Sequence, residues 1–134
     1  MKKIGSVIDF ALQREADIRN VFRQCMAKPG LRTVNEIYRE VAQSAAERFW
    51  VSEERAENVM YNMLAGRSID GMLAGRRKMY EEIFRRVVSI REESPDRTIR
   101  DIVAEVVNQP APSFYLTAAT VEKIMHRSRH RRRG

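Results

Sequence analysis

Cysteine is almost absent. Cys25 is the single one in 134 residues, so no internal disulfide can form and a reducing cytoplasm is the expected setting. Histidine occurs twice, at His126 and His130, and metal-ligand spacing is absent. Proline and glycine are scarce, at 4 and 6 residues, which excludes linker-like or collagen-like chains and leaves room for long helices. No apolar run approaches the roughly 20 residues of a membrane span. Met1-Lys2-Lys3-Ile4-Gly5-Ser6 carries basic residues without an apolar core and cleavage site behind them, so a signal peptide is not expected.

What the chain has in quantity is charge. Charged residues make up 32% of it and the formal net charge is +7. The excess sits at the end, in His126-Arg127-Ser128-Arg129-His130-Arg131-Arg132-Arg133, and the body before it is nearly neutral. Carboxylates elsewhere alternate with arginines at helical spacing, as in Glu36-Arg39-Glu40 and Arg100-Asp101-Glu105, the pattern of an ion-paired solvated surface.

The chain also repeats itself. Arg32 to Met60 recurs about 65 positions later as Arg97 to Met125. Ile37 meets Ile102, Val41 meets Val106, Ala46 meets Ala111, Phe49 meets Phe114 and Met60 meets Met125. Each copy reads helix, connection, helix. Thr33 and Thr98 can cap the first of these helices, Ser52 and Thr117 the second. The stripes Val34-Ile37-Val41 and Ile99-Ile102-Val106 must be buried. Pro110 and Pro112 break the second copy between its helices, and Phe49-Trp50-Val51 and Phe114-Tyr115-Leu116 read as short extended segments. Alternation there would send one aromatic inward and its neighbour outward, but the simpler expectation is that Trp50 and Tyr115 both plug the small core under the connection.

A longer helix precedes each copy. The first, capped by Ser6, shows Val7, Ala11, Ile18, Val21, Phe22 and Cys25 or Met26 on one side and ends at Lys28-Pro29-Gly30. The second is expected from near Ser68, with Ile69, Met72, Leu73, Tyr80, Ile83, Phe84 and Val87 as its apolar face. Gly71 and Gly75 weaken its start. The expected fold is all-α: two tandem three-helix repeats, 1–66 and 67–134, packed as one compact body, with a basic tail over 126–134.

No catalytic constellation can be assembled. Both histidines lie among arginines, and Cys25 reads as a small buried residue of the first helix with no histidine to activate it. No catalytic residue, cofactor, metal or small-molecule substrate is therefore expected, and no membrane. A three-helix unit whose second and third helices are joined by a connection resembles the helix-turn-helix DNA-binding domains, in which the third helix enters the major groove. The paired segments Arg48-Phe49-Trp50-Val51-Ser52 and Ser113-Phe114-Tyr115-Leu116-Thr117 look like those of small proteins of bacterial mobile elements and phages.

That resemblance implies a DNA-binding protein of the transcription-regulator kind. The third helix of the first copy carries Glu53, Glu54 and Glu57, which phosphates would repel. That of the second runs into the arginines, so the expected contacts are Thr117, Thr120, Lys123, His126, Arg127, Arg129, Arg131, Arg132 and Arg133. Arg76, Arg77 and Lys78, with Arg85 and Arg86, are expected to add phosphate contacts. Thr117, Thr120 and Lys123 would supply sequence preference. The alternative is a helical adaptor or assembly protein, of the phage structural kind, whose body binds protein or a second copy while the tail docks an acidic partner.

Overall fold

Threonine and serine set the helix starts. In the computed structural model, which describes residues 7–133 and the side chains of 10–131, six helices follow one another: α1 Val7–Ala27, α2 Val34–Gln43, α3 Glu53–Leu64, α4 Ala74–Glu93, α5 Ile99–Val107 and α6 Ala118–Arg133. There is no strand among the described residues, and no helix there is long and apolar enough to cross a membrane. Thr33 Oγ1 accepts the Glu36 N–H at 3.1 Å, and the Glu36 carboxylate accepts the Thr33 N–H at 3.2 Å, a full capping box. Ser52, Thr98 and Thr117 accept from the backbone three residues on, at 3.1, 3.1 and 3.2 Å. The expected cap Ser6 lies outside the described residues.

The start of α4 departs from the expectation by one and a half turns. Ser68 Oγ accepts the Asp70 N–H at 3.0 Å, and the Met72 N–H reaches the Ile69 carbonyl at 3.0 Å, so a turn forms where the helix was expected. Glycine at 71 supplies no side chain to hold an extra helical turn. Leu73 then precedes the helix with no side-chain cap.

The helices form two compact units, and the units do not follow the repeats. Unit 1 comprises residues 1–46 and 112–134; unit 2 comprises 47–111. The repeat boundary at Gly66-Arg67 falls inside unit 2. In unit 1, α1, α2 and α6 pack on one another; in unit 2, α4, α5 and α3 do. Each unit thus takes its first two helices from one repeat and its third from the other.

In unit 1, Ile18, Val21 and Cys25 of α1 are buried with Ile37, Tyr38, Val41 and Ala42 of α2 and Val121, Ile124 and Met125 of α6. In unit 2, Tyr80, Ile83 and Val87 of α4 are buried with Ile102, Val103, Val106 and Val107 of α5 and Ala56, Val59 and Met60 of α3. Each of the Val, Ile and Met side chains among these contributes about 1.5–3 kcal/mol by leaving water. Ile37, Val41, Ile102 and Val106 of the expected stripes are buried, while Val34 stands exposed at the head of α2 and Ile99 is half-buried at the head of α5.

The two connections leave their helices differently: Ser44 ends α2 in extended backbone at ψ 156°, while Asn108 ends α5 at φ −91°, ψ 0° and is followed by Pro110 and Pro112, which cannot continue a helix. Each is then fastened to the far end of a middle helix. The Phe49 N–H donates to the Val107 carbonyl at 3.1 Å, in unit 2. Ser113 Oγ donates to the Ala42 carbonyl at 3.2 Å, in unit 1. Val107 and Ala42 are equivalent under the repeat.

Phe49 and Phe114 are both buried, while Trp50 and Tyr115 are half-exposed, so the segments alternate rather than burying all four aromatics. Arg48 staples its segment by donating to the Phe49 and Val51 carbonyls at 3.0 and 2.9 Å, with its guanidinium 5.3 Å from the Trp50 ring centroid. Tyr115 takes a left-handed φ of 57°, and its N–H is held by Ser113 Oγ at 2.9 Å.

Candidate nucleic-acid interface

The arginine-rich end is part of the fold. Residues 126–133, expected as a tail, continue α6 to Arg133, so the basic groups are carried at helical intervals. α6 runs antiparallel to α1. Glu15 of α1, buried, accepts a hydrogen bond from Arg131 Nη2, and Arg19 Nη1 donates to the buried Ser128 hydroxyl at 2.9 Å. Cations at a helix C-terminus also oppose its partial negative charge, which favours this extension.

With Val121, Ile124, Met125 and Ser128 buried, the opposite face is set by periodicity. Ala119, Lys123, His126 and His130 are all exposed on it, and Arg127 and Arg129 are exposed on its two flanks. Glu122 is the one carboxylate of α6; its Oε2 lies 3.6 Å from His126 Nε2. Arg129 Nη2 lies 3.3 Å from His126 Nδ1.

The expected base-reading threonines are engaged in the helix start. Thr117 Oγ1 accepts the Thr120 N–H and lies 3.0 Å from Thr120 Oγ1. Lys123 alone of that trio extends freely into solvent with no polar contact among the described residues. The side chains of Arg132 and Arg133 lie outside the described residues. Arg76, Arg77 and Lys78 belong to α4 and hence to unit 2, Arg76 and Lys78 exposed and Arg77 half-buried.

Arg85 and Arg86 are committed within unit 2. Both bind the Glu82 carboxylate, at 2.5 and 2.7 Å, and hold it below the usual carboxylate range, Arg85 contributing first. Arg86 also donates to Gln109 Oε1 at 3.0 Å and the Pro110 carbonyl at 3.1 Å, and its guanidinium stands 4.9 Å from the Phe49 ring centroid. It fastens the second connection rather than offering itself to a ligand.

Charge separates by unit. Unit 1 holds 14 basic and 6 acidic residues, a net charge of +8; unit 2 holds 11 and 12, a net charge of −1. Divided by repeat the same charges give a weaker contrast. Carrying α6 into the unit of α1 and α2 concentrates the excess.

Two members of this basic unit were not expected from the sequence. Arg14 and Arg19 sit among the apolar positions of α1, and each has an Nε shielded from solvent without a hydrogen-bond partner. Burial pushes the Arg14 pKa down from its ordinary value, and the neighbouring charge of Arg127 pushes it further. Their position inside the stripe that holds Ile18 and Val21 was the available signal.

No protein-family model, curated protein or solved structure matches this chain. Among the described residues no group of three or more His, Cys, Asp or Glu side chains could hold a metal ion.

Proposed function

We propose that the protein is a non-enzymatic nucleic-acid-binding protein that takes double-stranded DNA on unit 1, with α6 as the presented helix. The observation that carries this reading is the concentration of +8 on the unit whose third helix ends in arginines. A helix with its side chains is about 10–12 Å across and suits a major groove about 12 Å wide. Lys123, His126 and His130 would face the groove, and Arg127 and Arg129 on the flanks would meet phosphates of the two strands. The resemblance to helix-turn-helix domains supports the same docking, with the three-helix unit assembled from both repeats.

The test is duplex binding across a salt series, for the full chain, for Lys123→Ala and for Arg127→Ala. Each lost phosphate contact lowers the slope of log K against log salt by about 0.9. Loss of affinity from Lys123→Ala supports groove docking by α6. Affinity unchanged in both variants would sink it.

A second reading, a helical adaptor or assembly protein, rests on unit 2. That unit is nearly neutral, its surface is laced with pairs such as Arg97 with Asp101 and Glu105 at 2.9 and 2.8 Å, and Tyr61 and Leu73 stand 50% and 81% exposed. Tyr61→Ser with Leu73→Ser would then abolish partner or self-association while leaving DNA affinity alone.

A further inference from the structure

We propose that His126 is the base-reading side chain of α6, offering its Nε2–H to an acceptor atom on the edge of a guanine, with Arg129 as the positioning residue that fixes the ring. The proposal rests on the nucleic-acid reading above and names the side chain that carries sequence preference within it.

Lys123, His126 and His130 occupy the exposed face of α6, and the threonines expected to read bases are spent on the helix start. Lys123 and His130 make no polar contact among the described residues. A free ammonium on a flexible stem supplies charge without direction. His126 differs, because a neighbour faces each of its ring nitrogens. Arg129 Nη2 lies 3.3 Å from Nδ1, and a guanidinium has donors only, so Nδ1 is the acceptor. The ring proton therefore sits on Nε2. A proton on Nδ1 as well would set donor against donor and cation against cation, so the arrangement belongs to the neutral imidazole.

At the other nitrogen, Glu122 Oε2 lies 3.6 Å from Nε2, beyond hydrogen-bond range. The Nε2–H is thus unfilled, on a side chain that is 59% exposed. Glu122 and Arg129 stand one helical turn before and after His126, so they bracket the ring along α6. The carboxylate repels a phosphate, which directs this donor to a neutral acceptor instead. In the major groove guanine presents two acceptors, N7 and O6, whereas adenine sets a donor beside its N7 and cytosine shows a donor alone. A single fixed N–H favours guanine and disfavours cytosine. The remaining N–H groups of Arg129 stay available for its phosphate.

The experiment uses the full chain as wild type, His126→Ala, Arg129→Ala and Arg129→Lys, all changed at exposed positions that the fold does not need. Each protein selects duplexes from a random pool at pH 8, the selected duplexes are titrated across a salt series, and the ring nitrogens of His126 are followed by nitrogen NMR. The wild type is expected to select guanine at one position, where cytosine weakens binding about tenfold. His126→Ala is expected to accept all four bases there with an unchanged salt slope, since a neutral ring neutralises no phosphate. Arg129→Ala is expected to raise the share of the Nδ1–H tautomer and to blunt the guanine preference, and Arg129→Lys, which keeps a donor beside Nδ1, to retain both. A guanine preference that survives His126→Ala would overturn the proposal, as would an Nδ1–H tautomer in the wild type. A salt slope lowered by about 0.9 in His126→Ala would also overturn it, by making the contact one with phosphate. These outcomes leave duplex binding by α6 in place, whereas a chain that binds no duplex removes the DNA reading and the proposal together.

Discussion

Glu15 and Arg131, 116 residues apart, form the ion pair that seats the end of α6 on α1. Glu15 is 6% exposed at its side chain and Arg131 is 50% exposed. The two partners would therefore respond differently to loss of the pair, because Arg131 can rehydrate and a lone Glu15 cannot. Glu15→Ala is expected to lower stability by about 1–2 kcal/mol. Amide exchange should quicken at residues 128–131 before it does elsewhere in α6. On the DNA reading the freed arginine gains a phosphate contact, so the salt slope should steepen while the fold weakens. Urea unfolding, exchange and the salt series check the three parts separately.

Arg86 gathers Glu82, Gln109, the Pro110 carbonyl and the Phe49 ring around one guanidinium that is 23% exposed. Arg86→Met keeps the apolar stem and removes the charged hydrogen bonds, at an expected cost of about 2 kcal/mol by urea unfolding. Arg76→Ala on the same helix, exposed and without a partner among the described residues, should stay within about 0.5 kcal/mol of wild type. The Glu82 carboxylate is held below its ordinary 4.5 by Arg85 and then Arg86. A carboxylate depressed in the folded state stabilises above its unfolded pKa and loses that contribution as pH falls through the folded value. Stability of the wild type should therefore decline below about pH 4.5, and Glu82→Gln should decline less steeply over that window.

The sequence made the local structure legible and left the pairing of helices hidden. Thr33, Ser52, Thr98 and Thr117 act as caps because each needs only a backbone N–H three residues away. The stripes through Ile37-Val41 and Ile102-Val106 follow from period alone. Which third helix covers which stripe does not. Val59-Met60 and Ile124-Met125 are alike in type and spacing, so the apolar period does not distinguish the two seats. Residues 126–133 read as a tail because an arginine run has no apolar period. Ser128, placed where the first repeat has Met63, and the carboxylate of Glu15 supply the seat instead. Arg14 and Arg19 are not legible as partly buried, because charged residues ordinarily lie at the surface.

Cys25 is 2% exposed, and burial pushes its thiol pKa up, with the Glu40 carboxylate adding to the shift. Its backbone carbonyl accepts from Arg32, which also binds Glu40 together with Lys28, so the end of α1 is tied to α2. Since the thiolate is the reactive form, the native protein at pH 8 should react with iodoacetamide at least tenfold more slowly than the same chain in urea. Labelling at equal rates in both would mean that the α1–α2 end opens freely.

The exchange of third helices makes a prediction that a repeat folded on itself would reverse. Ile124 of α6 is fully buried in unit 1 and Met60 of α3 in unit 2. Ile124→Ala and Met60→Ala are each expected to cost about 2–5 kcal/mol, as truncations that leave a cavity in a packed core. Amide exchange separates their targets. Ile124→Ala should hasten exchange in α1 and α2, more than 80 residues away in sequence, and spare α5, to which α6 is directly connected. Met60→Ala should hasten exchange in α4 and α5 and spare α2, its neighbour along the chain. If instead each substitution loosened the two helices of its own repeat, the third helices would be seated at home, and the charge contrast on which the DNA reading depends would dissolve with the exchange.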